Sequence, residues 1–137
     1  MRRQKKSNHP SFRDGAAAVE FAVCLPMLLV ILIGVIEASS MIYLKQSLSV
    51  AAYEGIRASV KAGATTSDVE AACNQILTAR RVNGATIEIT PSNFEDQPAL
   101  SWISVRVSAT GGDNSVIAGW FYDTLVVDGQ AAMMKEY

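Results

Sequence analysis

The sequence predicts an α+β protein: a long N-terminal helix that continues into a small domain with a second helix and a three- to four-stranded antiparallel sheet. Three observations support this. An uncharged apolar run covers residues 21–36, apolar residues recur at helical spacing as far as residue 77, and alternating apolar and polar residues follow from residue 86. Spacings near 3.6 and 2 residues are typical of amphipathic helices and half-buried strands, respectively. At 137 residues the chain is long enough for one such domain.

Residues 1–15 form a basic leader. They contain five basic residues and one acidic residue, a balance of +4, whereas the rest of the chain has seven basic and twelve acidic residues, a balance of −5. This distribution argues against nucleic acid as a partner. It is typical of a cytoplasmic flank under the positive-inside rule, so we expect the N-terminus inside the cell and residues 46–137 outside the cytoplasm.

Residues 16–44 are predicted to form a single transmembrane helix in contact with membrane lipid. The uncharged run of sixteen residues at 21–36 gives a helix of about 24 Å. A bilayer span needs about 20 residues, and the apolar residues on both sides of the run supply the missing length. Glu20 and Glu37 are the only charged residues in this stretch.

Residues 45–137 are predicted to form the extracytoplasmic α+β domain. The first helix continues for about 45 residues in all, with Gly63 as a stop signal. A second helix follows, for which Ser67 and Glu70 have the spacing of a capping box and Asn83-Gly84 provides the exit. Its predicted apolar stripe consists of Val69, Ala72, Cys73, Ile76 and Leu77.

Strand patterns follow the second helix. Ile87 and Ile89 share one face of "ATIEIT", and three apolar residues alternate in "SWISVRVSA". The segments "PSNFEDQPAL" and "GGDNS" are predicted to be a loop and a turn. The last segment favours a closing strand with a break at Asp128-Gly129. Core positions are predicted for Ile103, Val105 and Val107, and for the cluster Trp120, Phe121 and Tyr122.

The sequence offers no set of residues for catalysis. The only histidine lies in the basic leader, and the cysteines and histidine do not have metal-ligand spacing. Phosphate-binding glycine loops and nucleophile-elbow motifs are also absent. Cys24 is expected to pack as a small apolar residue, and Cys73 to face a packing surface. We therefore expect no enzymatic activity, no cofactor, no metal and no small-molecule substrate.

Glu20 is unusual because a carboxylate at the edge of hydrocarbon is costly. It could simply be hydrated at the headgroup level, or it could favour the helix N-terminus through the helix dipole. A third hypothesis starts from Gly15. If a peptidase cuts after Gly15, Ala16 acquires a free amine, and Glu20 lies four residues on, on the same helix face. The carboxylate would then pair with this amine or with that of a neighbouring helix.

A basic leader, Gly15, Glu20-Phe21 and an apolar helix resemble a type IV prepilin processing site. The longer segment at residues 13–62 resembles the TadE-like family of minor pseudopilins from the tight-adherence (Flp) pilus. The matching features are Gly15, Glu20-Phe21, Leu25-Pro26, Gly34, Glu37 and the "AAYEGIRA" segment. Tyr53 stands where family members often have Arg.

This resemblance implies a role in pilus assembly through binding alone. A prepilin peptidase would cut between Gly15 and Ala16, and Glu20 and Phe21 would serve assembly through pairing with the N-terminal amine. Pro26 would loosen or kink the helix by leaving the Ala22 carbonyl without its donor. The implied partners are the peptidase, other pilins and pseudopilins, and the pilus assembly machinery. The implied location is the bacterial inner membrane, with possible incorporation into the pilus.

Two other interpretations remain open. A secreted protein could be cut after Ser40, because Ala38 and Ser40 are small residues at the positions that a signal peptidase reads. A small domain with a binding or structural role could also keep its leader as an uncut signal anchor. The mature N-terminus would be Ala16, Met41 or the intact leader in the three cases.

Overall fold

The computed structural model describes residues 12–117 and 122–136. Its order of elements confirms the predicted α+β class, and the described residues contain one antiparallel sheet of three strands. The elements in chain order are α1 (Phe12–Ser59), α2 (Thr66–Ala79), β1 (Thr86–Thr90), a 3-10 helix (Phe94–Asp96), β2 (Trp102–Thr110), α3 (Gly111–Asn114) and β3 (Val126–Met134).

The described chain divides after Val35 into two units. The first unit is the beginning of α1, in which all side chains from residue 15 to 35 are exposed except Ile33 and Gly34, which are half-buried. The second unit, Ile36–Tyr137, contains the hydrophobic core. The core therefore lies in this second unit, and the apolar first unit has no core of its own.

Within the second unit, one face of α1 is buried at intervals of three or four residues, as expected for an amphipathic helix. A side-chain Cβ at Gly55 would lie 3.3 Å from a methyl group of Val105 and 3.5 Å from one of Val69. This glycine therefore allows α1 to approach both the sheet and α2 closely. The buried residues of this face include Glu37, Met41, Leu44, Leu48, Ala51, Ala52 and Ile56.

The link between the helices places the cap of α2 two residues earlier than predicted. The Thr65 side chain accepts a hydrogen bond from the Asp68 N–H at 3.4 Å, and the Asp68 carboxylate accepts one from the Thr65 N–H at 2.9 Å. The predicted Ser67–Glu70 box is wrong because Thr65, with its extended backbone, is the residue that precedes the first turn.

The packing face of α2 is as predicted, but its end is not. Val69, Cys73 and Leu77 are buried, and the other two residues of the predicted stripe are half-buried. The helix ends at Ala79 rather than at Asn83-Gly84. The chain instead turns at Arg81, which takes a positive φ of 55°.

The sheet has the order β1-β2-β3, with β2 in the centre. Ile103, Val105 and Val107 of β2 are fully buried, which confirms the alternation predicted for this strand. Ile87 of β1 pairs with Val107 and, like Ile89, packs against the core. One face of the sheet therefore lies on the core, and the other carries polar residues such as Arg106 and Gln130.

The closing strand β3 has no break at Asp128-Gly129, contrary to the prediction. Gly129 is buried within the strand and pairs with Val107. A Cβ at Gly129 would collide with the backbone of Leu48 and Ser49 in α1. The glycine is therefore explained by close packing between a strand and a helix, and not by a chain break.

Two connecting segments contain more structure than predicted. "GGDNS" forms the short helix α3 rather than a simple turn. The loop after β1 contains a 3-10 helix whose Phe94 is only 1% exposed. Burial of this large side chain gives the loop a contact with the core that its two prolines did not indicate.

Lys135, which directly follows β3, holds this loop in place. The Lys135 ammonium group donates hydrogen bonds to the carbonyl oxygens of Phe94 at 3.2 Å, Glu95 at 2.9 Å and Gln97 at 2.9 Å. The Lys135 N–H also donates to the Ser101 carbonyl oxygen at 2.9 Å. One residue thus holds both ends of the connection between the 3-10 helix and β2.

The predicted aromatic core cluster is described in part. Tyr122 is half-buried and packs against the core. Trp120 and Phe121 lie outside the described residues, as does most of the predicted leader.

Candidate functional site

The candidate site is the exposed beginning of α1, which carries every site residue predicted from the sequence. Gly15, Ala16, Glu20, Phe21 and Pro26 all lie in this helix with exposed side chains. Alanine and leucine favour a helix here. The segment contains an 18-residue window with a mean hydropathy of 2.7, none of it buried, so α1 is long and apolar enough to serve as a single-pass membrane anchor.

Gly15 has no structural explanation among the residues that the structure describes. It lies inside α1, it has no positive φ, and a Cβ built on it would meet no atom within 4 Å. Gly55 and Gly129 differ, because a Cβ at either position would collide with neighbouring residues. A glycine costs about 1 kcal/mol relative to alanine inside a helix. No contact among the described residues therefore explains the glycine at this position.

The helix places Ala16 and Glu20 one turn apart on one face. Four residues correspond to a rise of about 6 Å, which is within reach of a glutamate side chain. Glu20 is exposed and is the only charged residue in the range 16–36. It forms no ion pair or hydrogen bond with any other described residue, so its carboxylate is available to a cation supplied from elsewhere.

Phe21 and Pro26 complete the predicted set. Phe21 is 60% exposed, so its ring is free to pack against another molecule. Helix α1 continues through Pro26. Because proline has no N–H, the carbonyl oxygen of Ala22 lacks its usual donor four residues on. Neighbouring helices can satisfy such a carbonyl in a membrane.

Glu37 has a role that sequence reasoning missed. It is only 1% exposed, and its carboxylate accepts hydrogen bonds from the Ser115 hydroxyl and, at 3.3 Å, from the Ile117 N–H. Donors of this kind satisfy a carboxylate that is removed from water. Ser115 lies 78 residues away in sequence, so no local pattern could have identified this partner.

Two features of the described residues concern metal binding and thiol chemistry. The part of the chain at 12–117 and 122–136 holds no group of three or more potential metal ligands. Burial, with a smaller contribution from the Glu70 carboxylate, raises the pKa of the Cys73 thiol to about 11. A thiol that is so little ionised at neutral pH is a poor nucleophile. Cys73 is fully buried and donates to the Ala51 carbonyl oxygen, which confirms its predicted packing role.

Comparison with known proteins identifies the N-terminal segment. No curated protein and no solved structure matches this chain significantly. Residues 15–57 match the family model described as TadE-like protein. The match begins at Gly15 and ends two residues before the end of α1. The TadE-like family is related to the tight-adherence pilus and is generally non-enzymatic, which suggests an involvement with that pilus. The resemblance predicted from the sequence is thereby confirmed, and residues 15–57 are a TadE-like segment.

Proposed function

We propose that this chain is a minor pseudopilin that takes part in the assembly of a tight-adherence pilus after a prepilin peptidase cuts it between Gly15 and Ala16. One observation carries the proposal. The TadE-like match begins at Gly15, a residue that the fold itself does not require. The close approach of a peptidase to the backbone would supply the missing reason for a glycine at this position.

We place the membrane span at about residues 16–36, shorter than the predicted range 16–44. These twenty-one residues correspond to about 32 Å of helix, which matches the ~30 Å hydrocarbon core of a bilayer. The next residue, Glu37, is buried in the domain through its bonds to Ser115 and Ile117. The basic leader favours a cytoplasmic N-terminus, which puts the domain in the periplasm.

The proposed mechanism is association of helices. The exposed apolar residues of α1 leave the bilayer and pack against other pilins, pseudopilins and the assembly machinery. Cleavage gives Ala16 a positive charge at the membrane edge, and the unpaired Glu20 carboxylate neutralises it within one helix or between neighbours. Phe21 adds an apolar contact beside this charge pair. No cofactor, nucleic acid or small-molecule substrate takes part.

The secreted alternative conflicts with the contacts of Glu37. Cleavage after Ser40 would remove Glu37 and leave the Ile117 N–H without its acceptor, whereas the Ser115 hydroxyl would keep the Ile117 carbonyl oxygen at 2.8 Å. Loss of a buried acceptor costs about 1–3 kcal/mol for each donor that is left unsatisfied. A mature chain that starts at Met41 would therefore be a less stable domain than one that starts at Ala16.

N-terminal sequencing of the membrane-purified protein tests the proposal. We expect the mature chain to start at Ala16, and Gly15→Leu to leave the uncut precursor. Because a side chain at Gly15 meets nothing in this chain, failure of the variant to be cut would not reflect misfolding. Gly34→Leu is the matched control, since Gly34 also lies in α1 with no atom within 4 Å of a built Cβ, and it should be cut normally. A mature N-terminus at Met41, or an intact leader in the wild type, would overturn the proposal.

A further inference from the structure

We propose that the domain contacts the lipid headgroup layer through exposed apolar side chains at the end from which the membrane helix emerges. This membrane-proximal patch consists of Ile42, Tyr43, Val116, Leu125 and Val126, whose side chains are 40% exposed or more. The proposal rests on the membrane anchoring proposed above and adds a second contact with lipid, made by the folded domain itself.

Val116 is held beside the start of the domain. Its neighbours Ser115 and Ile117 both donate hydrogen bonds to Glu37, the residue that directly follows the proposed span. Val116 lies between these two anchors and is nevertheless 68% exposed. The bonds to Glu37 therefore fix an apolar side chain at the level where the helix enters the headgroup layer.

Leu125 lies only slightly farther from the span. The Gly111 N–H donates to the Leu125 carbonyl oxygen at 2.7 Å, and a Cβ on Gly111 would lie 3.1 Å from the sulfur atom of Met41. Met41 follows Ile36 by five residues, a rise of about 7.5 Å. The headgroup layer extends about 5–7.5 Å beyond the hydrocarbon core on each side. The backbone of Leu125 and Val126 therefore lies at the outer limit of the headgroup layer.

The helix contributes two exposed residues just beyond this level, whose side chains tilt toward the helix N-terminus and therefore back toward the headgroup layer. Ile42 is 61% exposed and Tyr43 is 50% exposed, on the face of α1 that does not pack on the core. They lie about 9–10.5 Å beyond Ile36 along the helix axis. Tyrosine is enriched at membrane interfaces because its ring is apolar and its hydroxyl is polar. Asp123 is also exposed near Leu125, and its charge limits the contact to the headgroup layer.

Lipid is the occupant that best fits this patch. The patch adjoins, without a break in the chain, an apolar helix that is fully exposed and suited to a bilayer. As long as α1 spans the bilayer, a domain tethered at Ile36 stays at the membrane surface, so its nearest side chains meet lipid before any soluble partner. Exposed apolar groups at that depth gain free energy of about 25 cal/mol for each Å² that is removed from water.

The opposite end of the domain provides a control of equal exposure. Trp102 is 68% exposed, as Val116 is, and lines a groove with Val60 and Met134. Val60 lies twenty-four residues beyond Ile36, a distance of about 36 Å along an ideal helix. Trp102 should therefore remain in water.

The test uses site-directed spin labelling of the full chain in vesicles of phosphatidylethanolamine and phosphatidylglycerol. Cys73→Ser, which keeps a donor to Ala51, is present in every variant. The native Cys24 reports on the span, whereas V116C, L125C and W102C each also carry Cys24→Ala. Accessibility to oxygen, which partitions into lipid, is compared with accessibility to a water-soluble nickel chelate.

We expect the oxygen-to-nickel accessibility ratio at V116C and L125C to be several-fold higher than at W102C and below that at Cys24. If the ratio at both sites equals that of W102C while Cys24 gives a lipid-like ratio, the proposed lipid contact of the patch is wrong. The proposed membrane anchoring through α1 would still stand. A water-like ratio at Cys24 would overturn the anchoring as well. Protection of V116C and L125C from both reagents would show a protein contact, such as a second copy, in place of lipid.

Discussion

The Glu37 carboxylate accepts a hydrogen bond from the Ser115 hydroxyl, which joins the first turn of the domain's helix to a segment 78 residues later. The Ile117 N–H donates to the other carboxylate oxygen. Since Glu37 is almost completely buried, this contact closes the core at the first helical turn of the second unit. The contact thereby ties this turn to the segment at residues 115–117.

Replacement of Glu37 should destabilise the domain. Glu37→Ala leaves the Ile117 N–H without an acceptor and the Ser115 hydroxyl with only the Ile117 carbonyl oxygen, and we expect the free energy of unfolding to fall by about 1–3 kcal/mol. Glu37→Gln keeps one carbonyl oxygen and should cost less. Urea unfolding of the detergent-solubilised chain measures both changes. Glu54→Ala is the control, because Glu54 is only in a surface pair with Arg57 at 3.9 Å. Equal, small losses for Glu37→Ala and Glu54→Ala would contradict the prediction.

Gly129→Ala should also destabilise the domain, because its Cβ would collide with the α1 backbone at Leu48 and Ser49. Overpacking of this kind costs about 1–3 kcal/mol. The neighbouring Gln130→Ala, on the exposed face of the same strand, should change stability by less than about 0.5 kcal/mol. The unfolding temperatures of both variants measure this difference in stability. If Gly129→Ala unfolds at the wild-type temperature, the strand and helix do not pack as closely as described.

The capping box of α2 should make stability depend on pH. Hydrogen bonds from the Thr65 N–H and hydroxyl lower the pKa of Asp68 from its ordinary value of 3.8. The stabilisation by the carboxylate is therefore present above this value and is lost as the pH falls through the lower pKa of the folded state. The unfolding temperature of the wild type should exceed that of Asp68→Ala at about pH 6, and the difference should shrink at about pH 3. A difference that stays constant with pH would show that the charge of Asp68 does not contribute.

Glu20→Ala should leave cleavage after Gly15 intact and reduce the number of surface pili. Under the proposed function, cleavage depends on Gly15 and the leader, whereas the carboxylate is needed afterwards to pair with the Ala16 amine. Glu20→Gln should resemble Glu20→Ala, because it keeps the shape and removes the charge. The measurement is surface pilus abundance at matched protein levels. Wild-type piliation in both variants would show that Glu20 is only a hydrated interfacial residue.

Periodic burial explains which elements were predictable from sequence. The buried face of α1, the stripe of Val69, Cys73 and Leu77, and the alternation in β2 each repeat within one element. Such a pattern is visible in sequence because every repeat adds to the same signal. The order and type of the main elements followed from these patterns alone.

Nonlocal contacts explain the errors. In the sequence, Gly129 suggests a break in the strand. The α1 backbone that requires a glycine there lies about eighty residues earlier in the sequence. The burial of Phe94 and the partner of Glu37 likewise depend on distant segments. The misplaced capping box has another cause. Thr65–Asp68 and Ser67–Glu70 have the same spacing, and only the backbone conformation at Thr65 distinguishes them.

The residues of the candidate site were proposed from the sequence, and their function stays a prediction. Gly15, Glu20 and Pro26 stand out in sequence because each is unusual in an apolar helix. The structure adds that neither Gly15 nor Glu20 has a partner among the described residues that would explain it. Residues without a role in their own fold point to contacts with other molecules.

The hydrogen bonds of Lys135 have a consequence for how the chain can be handled and degraded. Its ammonium group satisfies three carbonyl oxygens of the loop around the 3-10 helix. Loss of this cation, as in Lys135→Ala, would release the loop that seats Phe94 in the core. Lys135 thus protects this loop, and its loss would expose the loop to proteolysis.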